Sequence, residues 1–256
     1  MKTFNYHIKA LKDTFEELSK GNFLLFFIPG IVLTTGYYWF IYEAFAISKA
    51  IALTSDYSWF SWIIDFFNSA VQKTFAVFIL LTEQFYIFLV LTLLSPFNTY
   101  LGERLDTKHT GTKFEGGIIR FIHDFIRMIF VIILAISLEF ICIVLYWILS
   151  WFIGFEPLDT IVYFCITAFF FGFSFYDFAL ERYKSNVFSS LEFAFSKPLT
   201  MILTGGLFLA IFNIPIIGIP LAPVITLMVS TFVYLYLTKK IQSTPINNEQ
   251  NTIENE

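Results

Sequence analysis

The side chains able to do chemistry are few, and most interrupt apolar runs. Glu83 and Gln84 break one run, Glu139 breaks another, and Glu43 and Asp177 close two more. An ionisable group in hydrocarbon costs at least about 2.5–3.5 kcal/mol on insertion scales, so each needs a partner or a wet cavity. Together they would line a polar path between helices. Glu83, Gln84 and Glu139 read as facing inward and Glu43 as reaching the interface, with both readings open for Asp177. Two charged doublets, Glu103-Arg104 and Glu181-Arg182, each stand just outside an apolar segment. They are expected either to meet or to be separately solvated helix ends. Arg120, His123, Asp124 and Arg127 share one helical face, suited to lipid phosphates or to drawing in anions. His7, His109 and His123 are scattered and read as surface histidines, with no metal or catalytic spacing. No nucleotide loop, serine nucleophile elbow or paired-histidine motif occurs, so neither enzymatic activity nor a cofactor or resident metal is expected.

The elements that would position these groups belong in lipid. The chain is 57% hydrophobic and only 14% charged, with 35 phenylalanines among 256 residues. A soluble domain is nearer half apolar and a quarter charged, and could not hide this much apolar surface. The net charge of −4 comes with no basic run interleaved with aromatics, which sets nucleic acid aside. Cys142 and Cys165 sit inside apolar runs and read as packed or lipid-facing thiols.

A spanning helix needs about 20 apolar residues. Phe23–Tyr42 is uncharged over 20 residues, Gln84–Gly102 over 19 and Thr160–Tyr176 over 17, while Met128–Phe155 is broken only by Glu139. Pro198–Thr238 is uncharged over 41 residues but holds Pro215, Gly218, Pro220 and Pro223, so it must be two helices and a bend. If the legs are Leu199–Ile214 and Val224–Thr238, they hold 16 and 15 residues. Each then reaches roughly 24 Å, short of the roughly 30 Å hydrocarbon core. The hairpin is therefore expected to dip part-way, with its bend Asn213–Pro223 sheltered by protein or water; a short hairpin that does span is the alternative.

Residues 1–21 read as an interfacial amphipathic helix with Phe4, Ile8, Leu11, Phe15 and Leu18 on one stripe. Residues 22–241 form the helical membrane domain, with shorter interfacial pieces at Trp59–Phe67 and Asn186–Ser196. Residues 242–256 form a polar tail expected to be disordered. With three hairpins, 14 of the 16 basic residues fall on the side of both termini, which makes that side cytoplasmic. In Ser95-Pro96-Phe97-Asn98, Pro96 is expected to loosen the helix near this surface and Asn98 to bond the freed backbone.

The stretch SPFNTYLGERLDTKHTG (Ser95–Gly111) resembles the signature of the CysZ-like sulfate permease and etoposide-induced-protein membrane family. FSFYDFALERY (Phe173–Tyr183) resembles its second marker, and FNIPIIGIPLAPV (Phe212–Val224) its terminal hairpin. The resemblance implies an all-α inner-membrane protein of bacteria, with two long transmembrane helices and two hairpins that enter the bilayer only partly. It also implies a homo-oligomer and uptake of sulfate. Sulfate-binding members carry arginines just after a glycine before the first span. Here those positions hold Phe23 and Leu24, leaving Lys20, Gly21 and Asn22 as the candidate anion-binding set. Backbone donors at a helix start can still hold an oxyanion, without the bidentate guanidinium contacts. The expected function is an ATP-independent anion permease or channel for sulfate or a related oxyanion. The alternative is a non-transporting protein of the same fold that shapes or scaffolds the bilayer.

Overall fold

The computed structural model describes residues 2–51, 66, 68–69, 87, 90–114, 118–153 and 156–241. Among these the chain is helical, with no strand. The elements are α1 (Lys2–Ser19), a 3-10 turn (Leu24–Phe26), α2 (Phe27–Ile51), α3 (Ser95–Thr110) and α4 (Ile118–Ile153). They continue as α5 (Glu156–Arg182), α6 (Val187–Ser196), α7 (Pro198–Phe212) and α8 (Gly218–Leu237). Glu83, Gln84, the expected interfacial piece around Trp59 and the tail 242–256 lie outside the described residues.

Among the described residues four helices are long and apolar enough to cross a membrane: α2, α4, α5 and α8. A fifth candidate is the pair α6–α7, bent by 99° at Lys197, where Pro198 opens the second helix at a position that needs no backbone donor. α2 and α4 are mostly exposed, whereas 94% of the apolar window of α8 is buried. α8 is the hub of the fold: α1, α2, α3, α5 and α7 all pack on it. α5 and α7 form the closest pair, with Phe208 of α7 against Phe171 and Phe175 of α5 at ring separations of 5.0 and 5.1 Å.

The terminal hairpin differs from expectation in two ways. α8 starts at Gly218 rather than Val224 and runs for 20 residues, because Pro220 falls in its first turn and Pro223 is carried inside the helix. At about 1.5 Å per residue it reaches roughly 30 Å, so only α7, with 15 residues, is short. The bend also satisfies much of its own backbone. The N–H groups of Asn213, Ile214, Ile217 and Gly218 donate to the carbonyls of Leu209, Ile211, Pro215 and Ile214 at 2.7–3.1 Å. Residues 213–217 are exposed within the chain itself.

Of the expected apolar stripe of α1, Phe4, Ile8 and Phe15 are exposed, whereas Leu11 and Leu18 are partly buried against the core. The adjoining edge, His7, Ala10, Thr14 and Glu17, is buried against the bundle. His7 is therefore not a surface histidine. Its ring donates Nδ1–H to the Thr3 carbonyl, 2.9 Å away, so Nε2 is left to accept from the Thr204 hydroxyl of α7, also at 2.9 Å. Burial lowers the His7 pKa, against a smaller opposing effect of nearby backbone carbonyls. Farther along, Tyr236 donates to Asp13, and Glu17 accepts from Lys108 with His109 at 3.5 Å. Burial alone would raise the Glu17 carboxyl, but the Lys108 hydrogen bond and charge outweigh it and hold the group below its usual range.

The lowered His7 pKa gives a pH dependence with a definite sign. The unfolded chain takes up a proton near 6.5, before the folded one does. Stability is thus fully present above that pH and falls as the pH drops from 6.5 towards the folded value. The slope is at most about 1.4 kcal/mol per pH unit. Thermal unfolding in detergent between pH 7.5 and 5 should show this loss in the native chain and a flatter profile in His7→Gln; parallel profiles would exclude His7 as its source.

Candidate functional site

The polar groups of the molecule gather where the N-terminal part of α4 meets the C-terminal ends of α3 and α5. The two expected doublets approach each other there, but not residue by residue as their spacing suggested. Arg182 pairs with Asp106, one turn beyond Glu103, and both side chains are fully buried. Its Nε lies 3.5 Å from Asp106 Oδ2, Nη1 donates to the Phe178 carbonyl at 3.1 Å, and Nη2 donates to the Thr231 hydroxyl of α8 at 3.1 Å. Asp106 also accepts from Tyr183 Oη at 2.8–2.9 Å and from Thr110 Oγ1 at 3.0 Å. Burial, and then the Asp106 carboxylate, push the Tyr183 phenol well above its usual range, so it stays a donor. Gly102 makes room for this arrangement, since a Cβ there would land on the Arg182 guanidinium. Arg104 turns away and lies over the Tyr100 ring, 5.3 Å from its centre.

A second buried pair lies beside the first. Arg127 of α4 grips Asp177 of α5 with both oxygens, Nε–Oδ2 at 3.1 Å and Nη2–Oδ1 at 2.7 Å. Its Nη1 donates to the Ser185 carbonyl at 2.7 Å. Asp177 is therefore a buried structural partner, not a group that merely reaches the interface. Arg127 is fixed by protein, which takes it out of the lipid- or anion-binding role its helical face suggested. A cavity of about 700 Å³ opens next to this pair, lined by His123, Asp124, Arg127, Glu181 and Tyr183 among others.

The opening polar stretch of α3 matches expectation in part. Residues 90–93 are helical, Leu94 is a turn and Pro96 stands in the first turn of α3, so the helical path is interrupted beside the proline and then resumes. Asn98 does not bond freed backbone: its Nδ2 is buried with no acceptor. Ser95 Oγ and Thr99 Oγ1 are likewise buried without partners, as is Thr226 Oγ1 on α8. Ser95, Asn98, Thr99, Gly102 and Asp106 recur every three or four residues, so they form one stripe of α3, and α3 packs along α8. Thr226, Ser230 and Thr231 are the buried hydroxyls of α8. Buried polar atoms are nearly always paired, so unpaired atoms on three side chains of one helical stripe, among the described residues, set this stripe apart. That stripe runs to the Arg182 guanidinium.

The remaining expected positions are scattered. Lys20 is exposed and donates to Glu16 Oε1 at 2.7 Å. Gly21 takes a left-handed φ of 76°, and Gly21 and Asn22 lie just ahead of the 3-10 turn that leads into α2, where the first candidate span begins at Leu24. Asn22 instead lines a cavity of about 470 Å³ with Glu103, Arg104, Thr107 and Lys108. Glu139 is half-buried and accepts from Thr167 at 2.7 Å, while Glu43 is exposed on α2. Cys142 and Cys165 are half-buried free thiols beside an apolar cavity. The sequence reading missed Asp106 and Thr231, whose types and spacing carry no signal by themselves. No family model, curated protein or solved structure matches this chain.

Proposed function

We propose that the chain is a bacterial inner-membrane anion permease or channel of the CysZ-like kind, carrying sulfate or a related oxyanion without ATP. The observation that carries the reading is the α3 stripe of buried, unpaired polar side chains, Ser95, Asn98 and Thr99, running to Arg182. Amide and hydroxyl donors along one helix can replace part of an anion's hydration shell, and a guanidinium at the end of the row lowers its electrostatic barrier. The cavity of Asn22, Glu103, Arg104, Thr107 and Lys108 places two further cations close by, beside one carboxylate. In this reading α2 and α4 are the long lipid-facing spans, both termini are cytoplasmic, and the bent pair α6–α7 enters the bilayer only partly. The protein acts as a homo-oligomer.

Flux of labelled sulfate and thiosulfate into proteoliposomes tests this. Uptake above protein-free vesicles is expected, reduced at least tenfold by Asn98→Leu and several-fold by Arg104→Ala with Lys108→Ala. Absence of uptake for every oxyanion tried would overturn the reading. The 99° bend between α6 and α7 and the outward apolar edge of α1 would then favour a protein that shapes or scaffolds the bilayer.

A further inference from the structure

We infer that His123, Asp124 and Glu181 form a binding site for one divalent transition-metal cation of the zinc or manganese class, at the mouth of the 700 Å³ cavity. His123 Nδ1 lies 3.6 Å from Asp124 Oδ1 and 3.8 Å from Glu181 Oε1, and the three ligand atoms all lie within 4.8 Å of one another. Those separations are too long for hydrogen bonds to the imidazole. They suit neighbouring ligands on one ion, because donors at about 2.0–2.2 Å from a tetrahedral metal stand roughly 3.3–3.6 Å apart.

The surroundings point the same way. The Glu181 side chain is nine-tenths buried, and its carboxyl lies within hydrogen-bond reach of the Asp124 carboxyl, itself 5% exposed. Two carboxyls held together away from water need a shared proton or a cation between them. His123 is the outermost of the three, 70% exposed, and gives an ion an entry from solvent. One imidazole nitrogen and two carboxylate oxygens favour zinc or manganese over magnesium, which prefers oxygen and water. The remaining coordination positions would face the cavity. The site is separate from the α3 stripe and does not depend on the transport reading.

The test is zinc binding to the purified full chain in nanodiscs, first stripped with a chelator and then titrated by calorimetry and by competition with a chromophoric chelator. One equivalent of zinc is expected, unaffected by a large excess of magnesium. His123→Ala should weaken binding at least tenfold, about 1.4 kcal/mol. Its exposed side chain makes loss of folding an implausible cause, and an unchanged unfolding midpoint without metal checks this. Glu181→Gln should weaken binding further. Less than one equivalent bound by the native chain, or native affinity in His123→Ala, would overturn the assignment.

Discussion

Removing one partner of the Asp106–Arg182 pair should cost about 3–5 kcal/mol, among the largest effects any single side chain here can produce. Both groups are fully buried, so Asp106→Leu leaves an uncompensated guanidinium and Arg182→Met an uncompensated carboxylate. The loss at Asp106 also strips an acceptor from Tyr183 and Thr110. The double variant Asp106→Leu with Arg182→Met should recover much of the loss, since two apolar side chains replace a pair whose desolvation cost is gone. Unfolding in detergent, followed as a double-mutant cycle, reads the coupling directly. Additive losses would mean that the two residues act independently. Gly102→Ala should mimic Arg182→Met in part, because its methyl group would occupy the guanidinium's position.

The second large effect is expected at the α5–α7 contact. A Cβ on Gly205 would run into the Ala168 carbonyl and lie 2.7 Å from the Gly172 nitrogen. On the other helix, a Cβ on Gly172 would lie 2.7 Å from the Met201 carbonyl carbon. The obstruction is backbone on both sides, so no side-chain rotation relieves it. Gly205→Ala should therefore cost about 3 kcal/mol, the upper end for overpacking, as the helices are forced apart. The adjacent Gly206 supplies the control. Its Cβ would stand 3.5 Å from the Phe164 ring, an ordinary contact, so Gly206→Ala should be neutral or slightly stabilising. Equal losses at both positions would show that helix propensity rather than close approach sets the cost.

How much of this was legible follows from the range over which each signal acts. Apolar runs announced α2, α4 and α5, because a spanning length is a local property of composition. The piece expected at Asn186–Ser196 from its aromatics is α6, whose Asn186 cap accepts from the Ser189 N–H at 2.8 Å. Prolines misled at α8: counted as breakers, they moved its start to Val224, whereas a first-turn proline costs a helix little. His7 misled for another reason. Its partner Thr204 lies 197 residues away, and nothing near position 7 signals a contact with α7. Asp106 looked like one more solvated charge after a membrane segment. Only the arrival of Arg182 and Tyr183 from α5 makes it a buried anchor. Glu181 likewise gains His123 and Asp124 as neighbours through the α4–α5 packing, not through spacing.

The helix on which α1, α2, α3, α5 and α7 converge follows all of them in the chain. During synthesis each earlier segment must therefore emerge while the seat it will finally occupy does not yet exist. Polar edges such as Thr231's contact with Arg182 stay incomplete until that last piece is translated. Assembly is thereby deferred: the earlier helices can form as they emerge, but consolidation waits for α8 and runs outward from it.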